Sequence, residues 1–328
     1  MDTTERPIVD VVEHALHAAV RAPSLHNSQP WRFLVRPDHV DLWLDRDRVL
    51  AVADPSGREA RIACGAALYN LVLDLAAAGH ATSVDLMPDR AASDLLARVW
   101  LVGRRRRRTD EVALASVIHD RTTNRRPFLD RPVSSAGRSA MSQAASAEGS
   151  FLTWLDAPGE TSTFTDLLRR AEAAQVADPV FQAELRRWVS RTDERGDGVP
   201  WKAAPMRPAA DDVLALRDYH GDAAVERPFE RDPQIVILTS YGDTAVDHLR
   251  AGQALQRVLL VATQSGISAS FVTQPLERPD SRRAVRDLVG GHLHPQAALR
   301  VGYGSPTPTS RRRPVGEVSM QPRPETTP

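Results

Sequence analysis

Two stretches of this chain match each other without a gap: residues 64–83 lie over residues 251–270, with Gly65 over Gly252 and Gly79 over Gly266. Each copy is a long apolar segment stopped by glycine and followed by a short β-like stretch. Leu68, Leu71, Val72 and Leu75 in the first copy, and Leu255, Val258, Leu259 and Ala262 in the second, cover more than one face of a helix. Both helices are therefore predicted to be largely buried. The missing side chains of Gly65 and Gly252 predict close helix approach. Trp100-Leu101-Val102-Gly103 and Leu299-Arg300-Val301-Gly302 supply a matching strand in each copy. Two alanine-rich helices can resemble each other by chance, but here the order helix, glycine, strand, helix, strand agrees as well, which argues for duplication.

The coarse reading is α+β, in two halves at residues 1–115 and 116–328. The first half has a helix at 7–21, strands at 31–35 and 40–44, the long helix 59–78, and strands at 83–86 and 99–102. The second has strands at 151–155, 235–239 and 299–301 around the helix 248–265. An insert at about 178–229, with a helix at 181–189, has no partner in the first half. Long segments of this kind are lids, binding loops or disordered. The tail from Pro314 is rich in proline and reads as a strap or a disordered end.

Composition narrows the function classes. Formal net charge is zero, which gives no general attraction to nucleic acid or anionic membrane. Lys202 is the only lysine, so isolated arginines say little and clustered ones say more. The run Arg104 to Arg108 has no interleaved aromatics and is followed by Asp110 and Glu111; it reads as a solvated loop rather than a nucleic-acid site. No uninterrupted apolar run matches a membrane span or signal peptide, and a cytoplasmic location is expected. Cys64 is the only cysteine, in apolar surroundings that predict a buried helix position. His292 and His294 lack a carboxylate or cysteine at ligand spacing, so a surface turn is expected and no metal.

Two segments concentrate chemistry, and neither recurs in the other half. In the first, Pro23 ends the helix by disfavouring helical backbone at Ala22. Ser24, His26, Asn27 and Gln29 then gather donors and acceptors in a turn, while Trp31, Phe33 and Val35 alternate as the inward face of a strand. A capping turn accounts for Ser24 and Asn27, a binding turn for the whole set. In the second segment, Arg121, Thr123 and Arg125 project from one side of an extended stretch, two guanidinium forks about a hydroxyl, as suits a phosphate. An exposed basic loop is the plain alternative. Arg311-Arg312-Arg313 can add charge to the same anion.

Pro23-Ser24-Leu25-His26-Asn27-Ser28-Gln29-Pro30-Trp31 resembles the Pro-Ser-x-x-Asn-x-Gln-Pro-Trp signature of the flavin mononucleotide (FMN)-dependent nitroreductase superfamily. Arg121-Thr122-Thr123-Asn124-Arg125 resembles that family's amino-terminal Arg-x-Ser/Thr-x-Arg/Lys motif, and Arg311-Arg312-Arg313 its carboxy-terminal basic pair. The whole chain is similar to the actinobacterial Acg-like branch, which implies a nitroreductase-like fold. In ordinary members FMN sits at a dimer interface, between basic motifs of one subunit and the turn of the other. Here the turn stands in one half and the basic motifs in the other. The resemblance therefore implies an intramolecular pseudo-dimer with one FMN per chain, a lid-like insertion in the second half, and compatibility with a monomer. By the same resemblance Arg121, Thr123, Arg125, Arg311 and Arg313 hold phosphate and ribityl, and Ser24, Leu25, His26 and Asn27 meet the isoalloxazine. The loop from Ser270 to Gln274 passes near flavin N5, although Phe271-Val272-Thr273-Gln274 departs from the family's usual residues.

The expected chemistry is hydride transfer from NAD(P)H through FMN to a nitroaromatic, quinone or similar acceptor, the flavin carrying the reaction. No catalytic side chain is assigned. With no Gly-x-Gly-x-x-Gly and no P-loop, a nicotinamide is expected to stack on the flavin. A rival reading is a lidded flavin store or redox sensor, with Trp188, Trp201 and Met206 of the insert over the ring. A third is a duplicated scaffold without cofactor.

Overall fold

The computed structural model describes residues 8–190, 196–203, 207–209, 212–219 and 226–321. Helix α1 (Ile8–Ala19) leads to strands β1 (Trp31–Val35) and β2 (His39–Leu44), then helix α2 (Arg58–Ala77) and strands β3 (His80–Leu86) and β4 (Leu95–Arg104). Helices α3 (Thr109–Ser116) and α4 (Ser135–Ser146) connect to β5 (Phe151–Trp154), followed by α5 (Glu160–Ala177) and α6 (Pro179–Arg187). Four two-residue strands come next, β6 (Val189–Ser190), β7 (Val199–Pro200), β8 (Arg207–Pro208) and β9 (Glu226–Arg227). The chain continues through β10 (Gln234–Ser240), α7 (Ala245–Gln264), β11 (Ser268–Phe271), α8 (Pro279–Leu288), β12 (His294–Gly302) and α9 (Val315–Val318).

The long helices start and stop for local reasons. Thr244 and Asp247 form a reciprocal capping box on α7, and the Asp54 carboxylate accepts the first amides of α2 from Glu59 and Ala60. Gly79 (φ 88°) and Gly266 (φ 68°) take the left-handed backbone that turns each chain into its next strand.

Two four-stranded antiparallel sheets flank this helix pair, in the orders β1-β2-β4-β3 and β5-β10-β12-β11. The topology is the same in both: the second strand enters the long helix, and the fourth strand returns between the second and third. Corresponding positions keep corresponding partners, Ala81 opposite Gly103 in one sheet and Ser268 opposite Gly302 in the other.

Helices α2 and α7 pack on each other through glycine. A Cβ at Gly65 would stand 2.1 Å from the Leu249 carbonyl oxygen, and one at Gly252 would stand 2.0 Å from that of Ile62. Ile62 and Leu249 occupy the same place in the sequence match, so the contact reads alike in both directions. Gln256 Nε2 donates to Asn70 Oδ1 at 2.8 Å across the same interface, both side chains fully buried. By length and apolarity α2 could cross a membrane, but 78% of its apolar window is buried in the protein. Cys64 is buried there too, its Sγ donating to the Pro30 carbonyl, and burial pushes its thiol far up from the ordinary value.

The insert begins earlier than residue 178. Arg36, Pro37 and Asp38 suffice to join β1 to β2, whereas β5 and β10 are separated by all of α5, α6 and β6–β9. Phe164 and Leu168 of α5, Val285 of α8, and Leu214, Leu216 and Phe229 of the insert bury the outer face of the second sheet. The tail is a strap as far as Gln321: Val315 and Val318 enter the first core, Ser319 bridges to Phe33, and the Met320 amide donates to the Phe33 carbonyl at 2.7 Å.

Gly65→Ala or Gly252→Ala should lower the unfolding free energy by about 3 kcal/mol, because a methyl group meets fixed backbone rather than a movable side chain. Urea denaturation measures this, and a loss under about 1 kcal/mol would refute the packing argument.

Candidate functional site

The turn after α1 is strained. His26, Asn27 and Gln29 all have positive φ (51°, 57° and 53°), a left-handed backbone that side chains adopt only when their surroundings hold them. Ser24 Oγ accepts the Gln29 amide at 2.9 Å. Gln29 Nε2 donates to the Gly196 carbonyl at 2.8 Å, and its Oε1 accepts the Arg313 amide at 2.9 Å. Asn27 Nδ2 donates to the carbonyls of Gly198 (2.9 Å) and Arg311 (3.0 Å), and its buried Oδ1 has no partner among the described residues. The first half, the insert and the tail thus meet on two amide side chains.

Beside this turn lies a cleft with about 1100 Å³ of empty space, part of it open to solvent. Ile62 and Ala63 of α2 and Leu255 of α7 line it, together with the segments after α3 and β11. Leu216, Arg217 and Tyr219 of the insert also reach it. The ring of His26 is buried, with Nδ1 at 3.1 Å from the Tyr219 hydroxyl. Burial first, then Arg217 and Arg125, hold its pKa well below the ordinary value, so the imidazole is neutral at neutral pH.

Besides Arg217, four arginines line the cleft: Arg21, Arg121, Arg125 and Arg312. Among the described residues none of them has a carboxylate within 4.0 Å. Their partners are carbonyls: Arg121 donates to Arg21 (3.3 Å), Arg312 to Arg21 (3.4 Å) and Ala22 (3.2 Å), and Arg125 to Ala203 (3.1 Å). Among the described residues the buried Nε of Arg21, Arg121 and Arg312 each lack a partner. Burial, and then the neighbouring guanidiniums, push Arg121 down to about 10 and Arg312 well below its ordinary value. Two other buried arginines are neutralised, Arg217 in the same cleft by Glu277 at 2.7 Å and Arg300 by Glu230 at 2.8 Å. Guanidiniums gathered without carboxylates are costly, and an anion among them would offset that cost.

Nine of the residues singled out in the sequence line this one cleft: Ser24, Leu25, His26, Asn27, Arg121, Thr123, Arg125, Ser270 and Gln274. Arg311 and Arg313 do not line it. The extended tail alternates its side chains, so Arg312 faces the cleft while Arg311 is exposed. Arg313 turns to Glu317, 3.4 Å from its carboxylate, and to Asp45 at 3.8 Å. Gln274 Nε2 is held by Glu172 (3.2 Å) and the Ala215 carbonyl (3.3 Å).

The insert residues that line the cleft, Leu216, Arg217 and Tyr219, are not the aromatic and methionine side chains expected there. Trp188 belongs to a cluster with Leu50, Ala53 and Phe181, and neither it nor Trp201 lines the cleft; Met206 lies outside the described residues. Sequence reasoning missed Arg21, Glu59, Arg217, Tyr219 and Arg312 as cleft residues. Arg21 and Arg312 were within the motifs already noticed, and Glu59 stands one helical turn before Ile62 and Ala63, which was a usable signal. Arg217 and Tyr219 carry none, because only the folded insert brings them in.

No protein-family profile matches the chain. Among curated proteins it is 33% identical over 324 residues to the "Putative NAD(P)H nitroreductase acg" of Mycobacterium tuberculosis, covering 94% of this chain and 95% of that one. A second Mycobacterium tuberculosis protein with the same nitroreductase description is 33% identical over 325 residues, covering 96% and 92%. Among solved structures, an FMN-bound nitroreductase from Desulfitobacterium hafniense has a TM-score of 0.40 at 13% identity, covering 61% of this chain and 94% of that chain. The NADPH:FMN oxidoreductase from Vibrio harveyi has a TM-score of 0.40 at 12% identity, covering 66% and 80%. With full-length identity to the curated relatives at this level, the chain belongs to the nitroreductase superfamily, in the branch of the mycobacterial Acg protein.

Proposed function

We propose that the chain is an FMN-dependent NAD(P)H oxidoreductase whose two halves pair as subunits do and form one flavin site. The observation that carries this reading is the meeting, on one cleft, of guanidiniums lacking counter-ions with the polar turn of the first half. The residues present fit FMN: a phosphate dianion answers the unpaired Nε groups of Arg21, Arg121 and Arg312. Asn27 Oδ1 is a free acceptor for a ligand N–H. The identical strand orders and the glycine contact support the pseudo-dimer, and turn and arginine motif stand once each, which supports one flavin per chain.

Bound FMN supplies two-electron transfer between NAD(P)H and a nitroaromatic, quinone or similar acceptor. The chain contributes grip and shape. Arg121, Arg125 and Arg312, with Arg21, hold the phosphate end beside the Thr123 hydroxyl. Leu25, His26 and Asn27 border the ring from one side, and Ser270 to Gln274 from another. Neutral His26 adds no charge at the ring.

A second reading, a covered flavin store, is favoured by how firmly the insert is tied down. Besides Asn27 and Gln29, Arg48 pairs with Asp197 at 2.9 Å, and Glu184 accepts the amides of Val52 and Ala53. Stopped-flow mixing with NADH and NADPH separates the two: rapid bleaching of the oxidised flavin marks a reductase, and none marks a store.

The purified protein should show flavin absorbance at one FMN per chain; colourless protein that takes up no added FMN would sink both readings. Arg121→Ala and Arg312→Ala should each weaken FMN binding about 10- to 100-fold, and riboflavin binding much less, because each removes a charge-assisted phosphate contact. Equal losses for FMN and riboflavin would contradict the assignment.

Gln29→Ala removes the tie between insert and tail. Exchange of the Arg313 amide should accelerate about tenfold or more, and FMN should dissociate faster. Unchanged exchange would show that the clamp contributes nothing.

A further inference from the structure

Glu59 belongs to no recognised motif, yet its place is unusual. It lies on the first turn of α2, one turn before Ile62 and Ala63, and borders the same cleft. It also borders a second cavity, with about 930 Å³ of empty space, between the start of α2, the start of α8 and the start of β12. The Glu59 side chain is therefore part of the wall that divides the two. Arg58 holds its Oε1, while Oε2 has no hydrogen-bond partner among the described residues.

The charged groups around Glu59 come from several elements. Arg58 and Asp54 stand beside it, Glu277 follows β11, Arg282 comes from α8, Asp243 precedes α7, and His294 opens β12. Arg282 is committed to Asp243 through two bonds of 2.6 and 2.8 Å, and Arg58 also donates to the Gln296 carbonyl at 2.7 Å. Burial raises the Glu59 pKa most; Asp54 and Glu277 add to the rise, and Arg58 and Arg282 oppose it, leaving it at about 7.

We propose that Glu59 is the proton donor for acceptor reduction, passing protons from the second cavity into the covered cleft. The proposal rests on the reading of the cleft as a flavin site. Reduction of a quinone to a hydroquinone adds two electrons and two protons. NAD(P)H supplies both electrons and one proton, as a hydride equivalent. The second proton leaves the Glu59 carboxyl: its O–H bond breaks, a bond forms to the quinone oxygen, and the carboxylate regains a proton from water in the second cavity. Because Glu59 borders both spaces, it can take a proton from one and give it to the other. A carboxyl that titrates near neutrality both holds and releases a proton at working pH.

The test uses the FMN-loaded protein, reduced with dithionite without air and mixed with a benzoquinone in a stopped-flow instrument over a pH series. In the wild type, flavin re-oxidation should slow as pH rises through about 7, as the acid form is lost. Glu59→Gln should bind FMN at wild-type stoichiometry, re-oxidise about a hundredfold more slowly, and lose that pH dependence. Glu59→Asp should recover part of the rate and the pH profile. Independently of turnover, isotope-edited infrared spectra of protein labelled at glutamate should show a protonated-carboxyl band that titrates near pH 7 and is missing in Glu59→Gln. A Glu59→Gln protein that re-oxidises like the wild type, keeps its pH profile, or retains the band overturns the proposal, and Tyr219 beside His26 then becomes the donor to examine. Protein that binds no flavin fails the underlying reading instead, and the proposal falls with it.

Discussion

The contact between α2 and α7 sets the rest of the structure. With hydrogen at Gly65 and Gly252, each helix brings a carbonyl against the other's backbone, closer than any side chain allows. Both sheets take their position from this pair, because each long helix runs directly into and out of its own sheet. The cleft inherits the same constraint: Ile62, whose carbonyl meets Gly252, lines it together with Ala63 and Leu255. The buried Asn70–Gln256 bond adds a polar contact that must find its mate in the same register.

The molecule treats its buried cations in two ways. Arg217, Arg282 and Arg300 each bond a carboxylate, and they brace the insert and the second sheet. Arg21, Arg121, Arg125 and Arg312 face a common space and lean on carbonyls rather than carboxylates, weak compensation for desolvated charge. Mutual repulsion among them is a cost to the fold, and a bound anion of two charges would relieve it. Ligand binding and stability are therefore linked through these four side chains.

Much of this was legible beforehand, and the omissions have physical causes. The repeat foretold both long helices and their glycine contact, since a buried apolar helix with a central glycine leaves few alternatives. Pro23 and the alternating Trp31, Phe33 and Val35 marked the turn and the first strand, and the two motif segments line one cleft, a meeting that only the family resemblance had implied. The α8 segment, Pro279–Leu288, went unassigned because its charges hide a single buried valine, Val285. Arg312 was passed over for its neighbours because the phase of an extended tail is set by what it packs on, here Val315 and Val318 in the first core. The insert was noticed, but its trough-facing residues, Leu216, Arg217 and Tyr219, follow no period that a sequence can display.

The strap gives the order of synthesis a role. One guanidinium of the anion cluster comes from position 312, and the strand pairing that guards the outer rim of β1 comes from Ser319 and Met320. While the ribosome is still making the second half, the first sheet has an uncovered rim, the kind of surface that invites pairing with a stranger. One segment both closes that rim and adds a guanidinium to the cleft, so protection of the sheet edge and completion of the arginine cluster depend on the same stretch of chain.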